Sequence, residues 1–162
     1  MYKMKKFLIV ACLALGMTAC SNDDNKQDKG FESVIITMDN VMQGSLIAKG
    51  EMGGPYFADE LFTVITNQTD WQNLIDQMNS VDPTAPETDV DFNNYEVIAV
   101  FDEGKTTGGY SIDIINITEF EKEIEVEVDR LHKGNDTQIA TKPFHIVKIP
   151  KINKPVVFVE VD

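Results

Sequence analysis

The sequence predicts a strand-dominated α+β domain, a mostly antiparallel sheet of about seven strands with one amphipathic helix packed on it. Three observations predict it. Short β-branched or alternating runs follow one another from Ser33 to the end, joined by turn-type sequences and not by helices. One segment, 69–78, carries apolar residues at i, i+3, i+4 and i+7. And Tyr95–Phe101 (YEVIAVF) is nearly all apolar, as a central strand covered on both faces must be.

Taken in order, Ser33–Met38 (SVIITM) reads as the first strand and Met42–Lys49 as the second. Gly50, Gly53, Gly54 and Pro55 break the pattern into a loop before Leu61–Thr66 (LFTVIT), a third strand. In the helix, Thr69 with Gln72 three residues on matches a capping box, so Thr69 is the expected N-cap. Asp70 follows in the first turn, where the helix dipole favours an acid. Trp71, Leu74, Ile75 and Met78 form the apolar stripe, and Asn79 and Ser80 are expected to end it. The Pro-rich VDPTAPETD then leads to the central strand. Asp102–Gly109 is a loop with three glycines, and Tyr110–Ile117 a strand. Ile124–Asp129 alternates Ile124, Val126 and Val128 against acids, which predicts a half-buried strand with an acidic outer face. Lys133–Asp136 (KGND) reads as a hairpin turn, and Phe144–Ile149 and Val156–Val161 as the last strands.

Before this domain the chain begins MYKMKKFLIVACLALGMTAC. Lys3, Lys5 and Lys6 precede a short apolar run, Phe7–Leu15, and then small residues ahead of Cys20. That order is the pattern of a secretory signal, and the run is too short for a spanning helix of ~20 residues. Met17-Thr18-Ala19-Cys20 resembles a bacterial lipobox, so residues 1–19 are expected to be removed and Cys20 to carry the lipid. After Cys20, SNDDNKQDKG (21–30) is polar, without aromatic or β-branched residues to bury, which predicts an acidic tether at 20–31 and a single domain at 32–162. Ser21-Asn22-Asp23-Asp24 is similar to a surface-export signal of lipoproteins in one group of Gram-negative bacteria, with plain linker acidity as the other reading. The expected location is the Gram-negative outer membrane, facing either the periplasm or the outside.

With Cys12 in the signal, Cys20 is the only cysteine of the mature chain, which leaves no disulfide framework and no thiolate metal site. The net charge is −13, and loss of the signal's three lysines takes it to −16. Such acidity argues against DNA or RNA as a partner, since phosphate binding needs clustered Lys and Arg. The membrane connection is then the lipid on Cys20 and not the surface of the domain.

No catalytic or cofactor set is visible. There is no GxSxG, no HExxH and no Ca²⁺ loop. His132 and His145 lack ligand spacing and read as structural. Glu123, Glu125 and Glu127 lie ~7 Å apart on one strand face, too wide to wrap a cation at ~2.4 Å. The glycines of Gly104-Lys105-Thr106-Thr107-Gly108-Gly109-Tyr110 are followed by a strand, so they are not a phosphate loop. Neither a metal nor a cofactor is expected, and the chain is expected not to be an enzyme. An enzyme with convergent acids and His145 stays open as a third reading, which a structure with no pocket joining His145 to carboxylates would remove.

The run VIAVFDEGKTTGGYSIDI (97–114) resembles the C-terminal domain of the protease complex subunit PrcB, as do KPFHIVKIPK (142–151) and the closing Val156–Val159. The resemblance to longer PrcB-like lipoproteins extends through the Trp71–Leu74 helix, Asp91-Phe92 and Tyr95, with the core at about 95–162. The family usually has Pro where Thr106 sits. What the resemblance implies is a non-catalytic, lipid-anchored envelope protein that binds or stabilises a protein partner, a protease or an envelope complex. The expected contact is the GKTTGGY loop, with Thr106, Thr107, Gly108, Gly109 and Tyr110, together with Phe144; a plain glycine turn with a core tyrosine is the other reading. A second similarity links Thr106-Thr107-Gly108 and Tyr110 to the Thr-Thr-Gly-aromatic loop of chagasin-type protease inhibitors, with Lys142-Pro143-Phe144 nearest to their Arg-Pro-Trp loop. It carries the alternative of a loop-presented inhibitor.

Overall fold

The computed structural model describes residues 30–47, 59–83 and 89–161. The signal, Cys20, most of the tether, the EMGGP loop and much of the Pro-rich connector lie outside these residues. From Phe31 onward the chain forms one compact unit. Its elements are β1 (Val34–Ile35), β2 (Asp39–Ile47), β3 (Leu61–Ile65), α1 (Gln68–Val81), β4 (Tyr95–Phe101), β5 (Asp113–Glu119), β6 (Ile124–Asp129), β7 (Thr141–Pro150) and β8 (Val156–Glu160).

The fold is strand-dominated and mostly antiparallel, as the sequence predicts, but its eight described strands divide into two sheets. One runs β2-β7-β4-β3 and the other β1-β5-β6-β8. The β6–β8 pair is parallel and every other pair antiparallel. The division follows from side-chain alternation. β4 and β7 are apolar on both sides and form the middle layer. Their Val97, Ala99, Phe101, Phe144 and Ile146 pack with Trp71, Leu74, Ile75 and Met78 of α1. Ile98, Val100, Val147 and Ile149 face the second sheet and pack with Ile114, Ile117, Ile124, Val126 and Val128. β6 buries only its aliphatic residues and leaves Glu125, Glu127 and Asp129 half-buried, so it belongs to an outer layer.

Several boundaries differ from expectation. α1 is capped by Asn67 and not by Thr69: Asn67 Oδ1 accepts the Asp70 N–H (3.0 Å) and its Nδ2 donates to Asp70 Oδ2 (2.7 Å). Asn67–Asp70 has the same i,i+3 spacing as Thr69–Gln72, and Asn is the stronger cap. Gln72 donates instead to Asp76, one turn on. The helix also runs past Asn79 and Ser80 to Val81, which extends the buried stripe by another turn. β1 is two residues long, and β2 begins already at Asp39. KGND is not a hairpin turn. β6 and β7 lie in different sheets, so 130–140 is a crossover between layers. Pro143 sits inside β7 just beyond the last β4 partner, where its carbonyl still accepts the Asp102 N–H (3.0 Å).

Replacing Asn67 with Ala is expected to cost about 1 kcal/mol, while Thr69→Ala changes stability by less than ~0.5 kcal/mol. Chemical denaturation midpoints at unchanged slope measure both.

Candidate functional site

The loop that joins β4 to β5 does not stand alone. It is zipped along the β6–β7 crossover by main-chain hydrogen bonds. Gly108 N–H donates to the Thr137 carbonyl (3.0 Å) and Asn135 N–H to the Gly108 carbonyl (2.9 Å). Gly134 N–H donates to the Gly109 carbonyl (3.1 Å), and Ser111 N–H to the His132 carbonyl (3.2 Å). At the base, Lys105 and Thr141 exchange two bonds (2.7 and 2.9 Å), and Thr141 Oγ1 donates to the Thr107 carbonyl (2.9 Å). Two glycines make the approach feasible. Gly109 has φ +77° and would set a Cβ 2.6 Å from Asn135 Cγ. Gly134 has φ +96°, and the Tyr110 ring occupies the space a Cβ would need. L-residues rarely adopt such φ values, so both positions demand glycine. Tyr110 lies in an isolated bridge with Lys133, and β5 proper starts only at Asp113, where Tyr110–Ile117 was expected to be strand.

Beneath the loops is an ionic base. Asp102, 1 % exposed, ends β4 and meets Arg130 Nε (3.1 Å) and Lys105 Nζ (3.0 Å). Arg130, the chain's only arginine, also pairs with Glu60 and Glu160. Burial alone would lower the Arg130 pKa, but hydrogen bonds to Glu160 and Asp102 more than reverse this and raise it. Lys105 behaves alike: burial opposes its charge, and Glu103 and Asp102 restore it and raise the pKa. Its ammonium also lies 5.5 Å from the Tyr110 ring centroid, which ties the base to the zipped loops. Lys142 is wholly buried, and its Nζ donates to the Asp59 carbonyl. Burial pulls its pKa down against the carboxylates of Asp59, Asp102 and Glu60.

A third polar group joins the sheets below the crossover. His145, 7 % exposed, accepts the Ile114 N–H at Nδ1 (2.9 Å), so that nitrogen carries no proton. Asp113 beside it accepts from Gln43 Nε2 (2.7 Å) and Ser111 Oγ (2.5 Å). Burial lowers the His145 pKa, opposed by Asp113. Ser, Asp and His thus come together, but the Ser111 hydroxyl is bonded to Asp113 and the histidine's Nδ1 is spent on a main-chain amide. Among the described residues, no group of His, Cys, Asp and Glu is placed to hold a metal ion.

Of the residues singled out from sequence, Thr106, Thr107, Gly108, Gly109 and Tyr110 share one loop. Thr106 and Gly109 are exposed, Thr107 and Tyr110 half-buried and Gly108 buried. Phe144 is not with them. It is 8 % exposed and stacks on Phe101 (centroids 5.7 Å apart) in the core beneath α1. Lys142–Phe144 is buried strand and cannot act as a second presenting loop. Cys20 lies outside the described residues. The rim instead gains Leu131 (59 % exposed) and Ile139 (45 %), with His132, Lys133 and Asn135 exposed between them. Sequence reading missed this crossover and its ionic base. An isolated arginine closing an alternating strand, and an aspartate closing an apolar one, were the available signals.

Gly134→Ala is expected to destabilise by about 1–3 kcal/mol, with part of the loss recovered when Tyr110→Ala is added, read from a double-mutant cycle. The His145 contribution has a defined sign. Its folded pKa lies below the ordinary 6.5, so stability is full above 6.5 and falls as pH drops towards the folded value. Denaturation midpoints at pH 7 and pH 5 should differ more for the native chain than for His145→Gln.

No curated protein and no solved structure matches the chain. A family model does. It is described as PrcB C-terminal and matches residues 97–150, from β4 through both zipped loops to the end of β7. Over that stretch, about a third of its length, the chain is similar to the PrcB C-terminal domain.

Proposed function

We propose that this protein is a non-catalytic, lipid-anchored envelope protein that associates with a protein partner through the rim made by loops 104–110 and 130–140. The observation that carries the reading is the PrcB C-terminal match over 97–150, since that family points to a subunit associated with a protease complex. The matched stretch contains both loops. The chemistry of the rim agrees with a protein contact: exposed Leu131 and Ile139 flank main chain already held by cross-loop hydrogen bonds. A surface ordered before binding loses less entropy when a partner docks. In this reading Cys20 carries the lipid, residues 20–31 are the tether, and the domain is held at the outer membrane, with the outward or periplasmic orientation set by the tether. The inhibitor reading has lost its second loop, because Lys142–Phe144 is buried in β7.

Photocrosslinking in cells of the native host tests this, with the reactive residue at Thr106 or Leu131 and a control at Lys151. Adducts to a protease-complex protein from the two rim sites, absent from the control, are expected. Equal yields from all three sites remove the rim assignment. In the same cells, Cys20→Ala should move the chain from the membrane to the soluble fraction.

A further inference from the structure

Each sheet has two edges, and among the described residues three of the four are blunted. β1 is only two residues long. β2 is bulged between Asn40 and Met42. β8 follows Pro155 and ends in Glu160, held by Arg130. β3 differs. Its sequence, LFTVI, has no charge, no proline and no bulge, and among the described residues it pairs only with β4. An unguarded edge offers a row of main-chain donors and acceptors to another strand.

The register shows which groups those are. Asp102 N–H donates to Pro143 and Lys151 N–H to Asn94, so even-numbered β4 residues turn their main chain towards β7. Odd-numbered residues therefore face β3, where Phe101, Ala99 and Val97 pair with Leu61, Thr63 and Ile65. The amide and carbonyl groups of Phe62 and Val64 point away from the sheet.

Beside this edge runs a cleft of about 180 Å³ between β3 and α1. Leu61, Thr63 and Ile65 line its strand wall, and Asp70, Asn73 and Gln77 its helix wall. Asp70 lines the cleft and Asp76 lies further along α1, and the stretch 59–81 itself has no Lys, Arg or His; its other carboxylates, Asp59 and Glu60, already face Lys142 and Arg130. An open strand edge specifies an extended backbone, and the cleft admits alternate side chains of that backbone. The acidic surroundings select basic side chains over acidic ones.

We infer that β3 and α1 form a second binding site, separate from the loop rim, which takes an extended, lysine-bearing peptide segment of a partner protein as an added strand along Phe62 and Val64. This goes beyond the proposed rim contact and does not depend on it.

The test uses the full-length chain in mild detergent and three synthetic nonapeptides. One alternates Lys with Val and Thr. The second replaces each Lys with Glu. The third is the Lys peptide N-methylated at every residue, which removes the donors of both its edges without touching the protein. The Lys peptide should bind and slow amide exchange at Phe62 and Val64. The Glu peptide should bind at least tenfold more weakly, and N-methylation should abolish binding. Val64→Pro, which removes one outward donor, should weaken binding at least tenfold. Equal binding of the N-methylated peptide overturns the proposal. So does protection of Phe62 and Val64 amides in the free chain, because the edge is then already covered by residues 48–58 or by a second copy. Protection that varies with protein concentration identifies the second copy.

Discussion

Two strands of this protein, β4 and β7, have almost no face that meets water, and the rest of the structure follows from that. Val97, Ile98, Ala99, Val100 and Phe101 are all fully buried, as are Ile146 and Ile149. Each large apolar side chain so placed contributes ~1.5–3 kcal/mol relative to exposure, against ~0–1 kcal/mol for an ion pair near the surface. Burial therefore holds the middle layer together, and α1 on one side and the β5–β6 sheet on the other exist to cover it. Polar groups at the ends of these strands cannot escape, so they must be partnered in place. Asp102, Lys142 and His145 are partnered, to Arg130 and Lys105, to the Asp59 carbonyl, and to the Ile114 amide.

The loop rim inherits its order from that constraint. Asp102 leaves β4 and Thr141 enters β7 side by side, so loop 104–110 and the end of the crossover start from fixed, adjacent points. Cross-loop amide bonds, two positive-φ glycines and the Tyr110 ring then close the distance between them. The result is a surface with main chain largely committed and with apolar side chains, Leu131 and Ile139, turned outward. In the Ser111–Asp113–His145 group the serine hydroxyl is bonded to Asp113 and the histidine Nδ1 to the Ile114 amide, the bonds of a junction between sheets.

Much of the fold was legible because it rests on local periodicity. The stripe Trp71, Leu74, Ile75 and Met78 announced the helix, and the uninterrupted YEVIAVF announced a strand covered on both sides. What periodicity cannot convey is which strand lies beside which. The split into two sheets, and the crossover where KGND looked like a hairpin, depend on pairings between residues far apart in sequence. Phe144 shows the same limit. It reads as the first residue of a strand and as a contact beside the TGGY loop, but β7 begins at Thr141, runs straight through it and buries it on Phe101. The TGGY loop was visible as glycine chemistry. Its reason, Asn135 and Gly134 further along the chain in the crossover, was not.

The central claim is that the two loops form one surface, rigid before any partner arrives and held by the doubly covered strands. Amide hydrogen exchange in the free protein tests it most directly. The account predicts that Gly108, Ser111, Gly134 and Asn135 amides, which donate across the loops, exchange only in the slow openings that also release amides of β4 and β7. Exchange of these four at the rate of exposed loop amides such as Asp136, with β4 still protected, would contradict it.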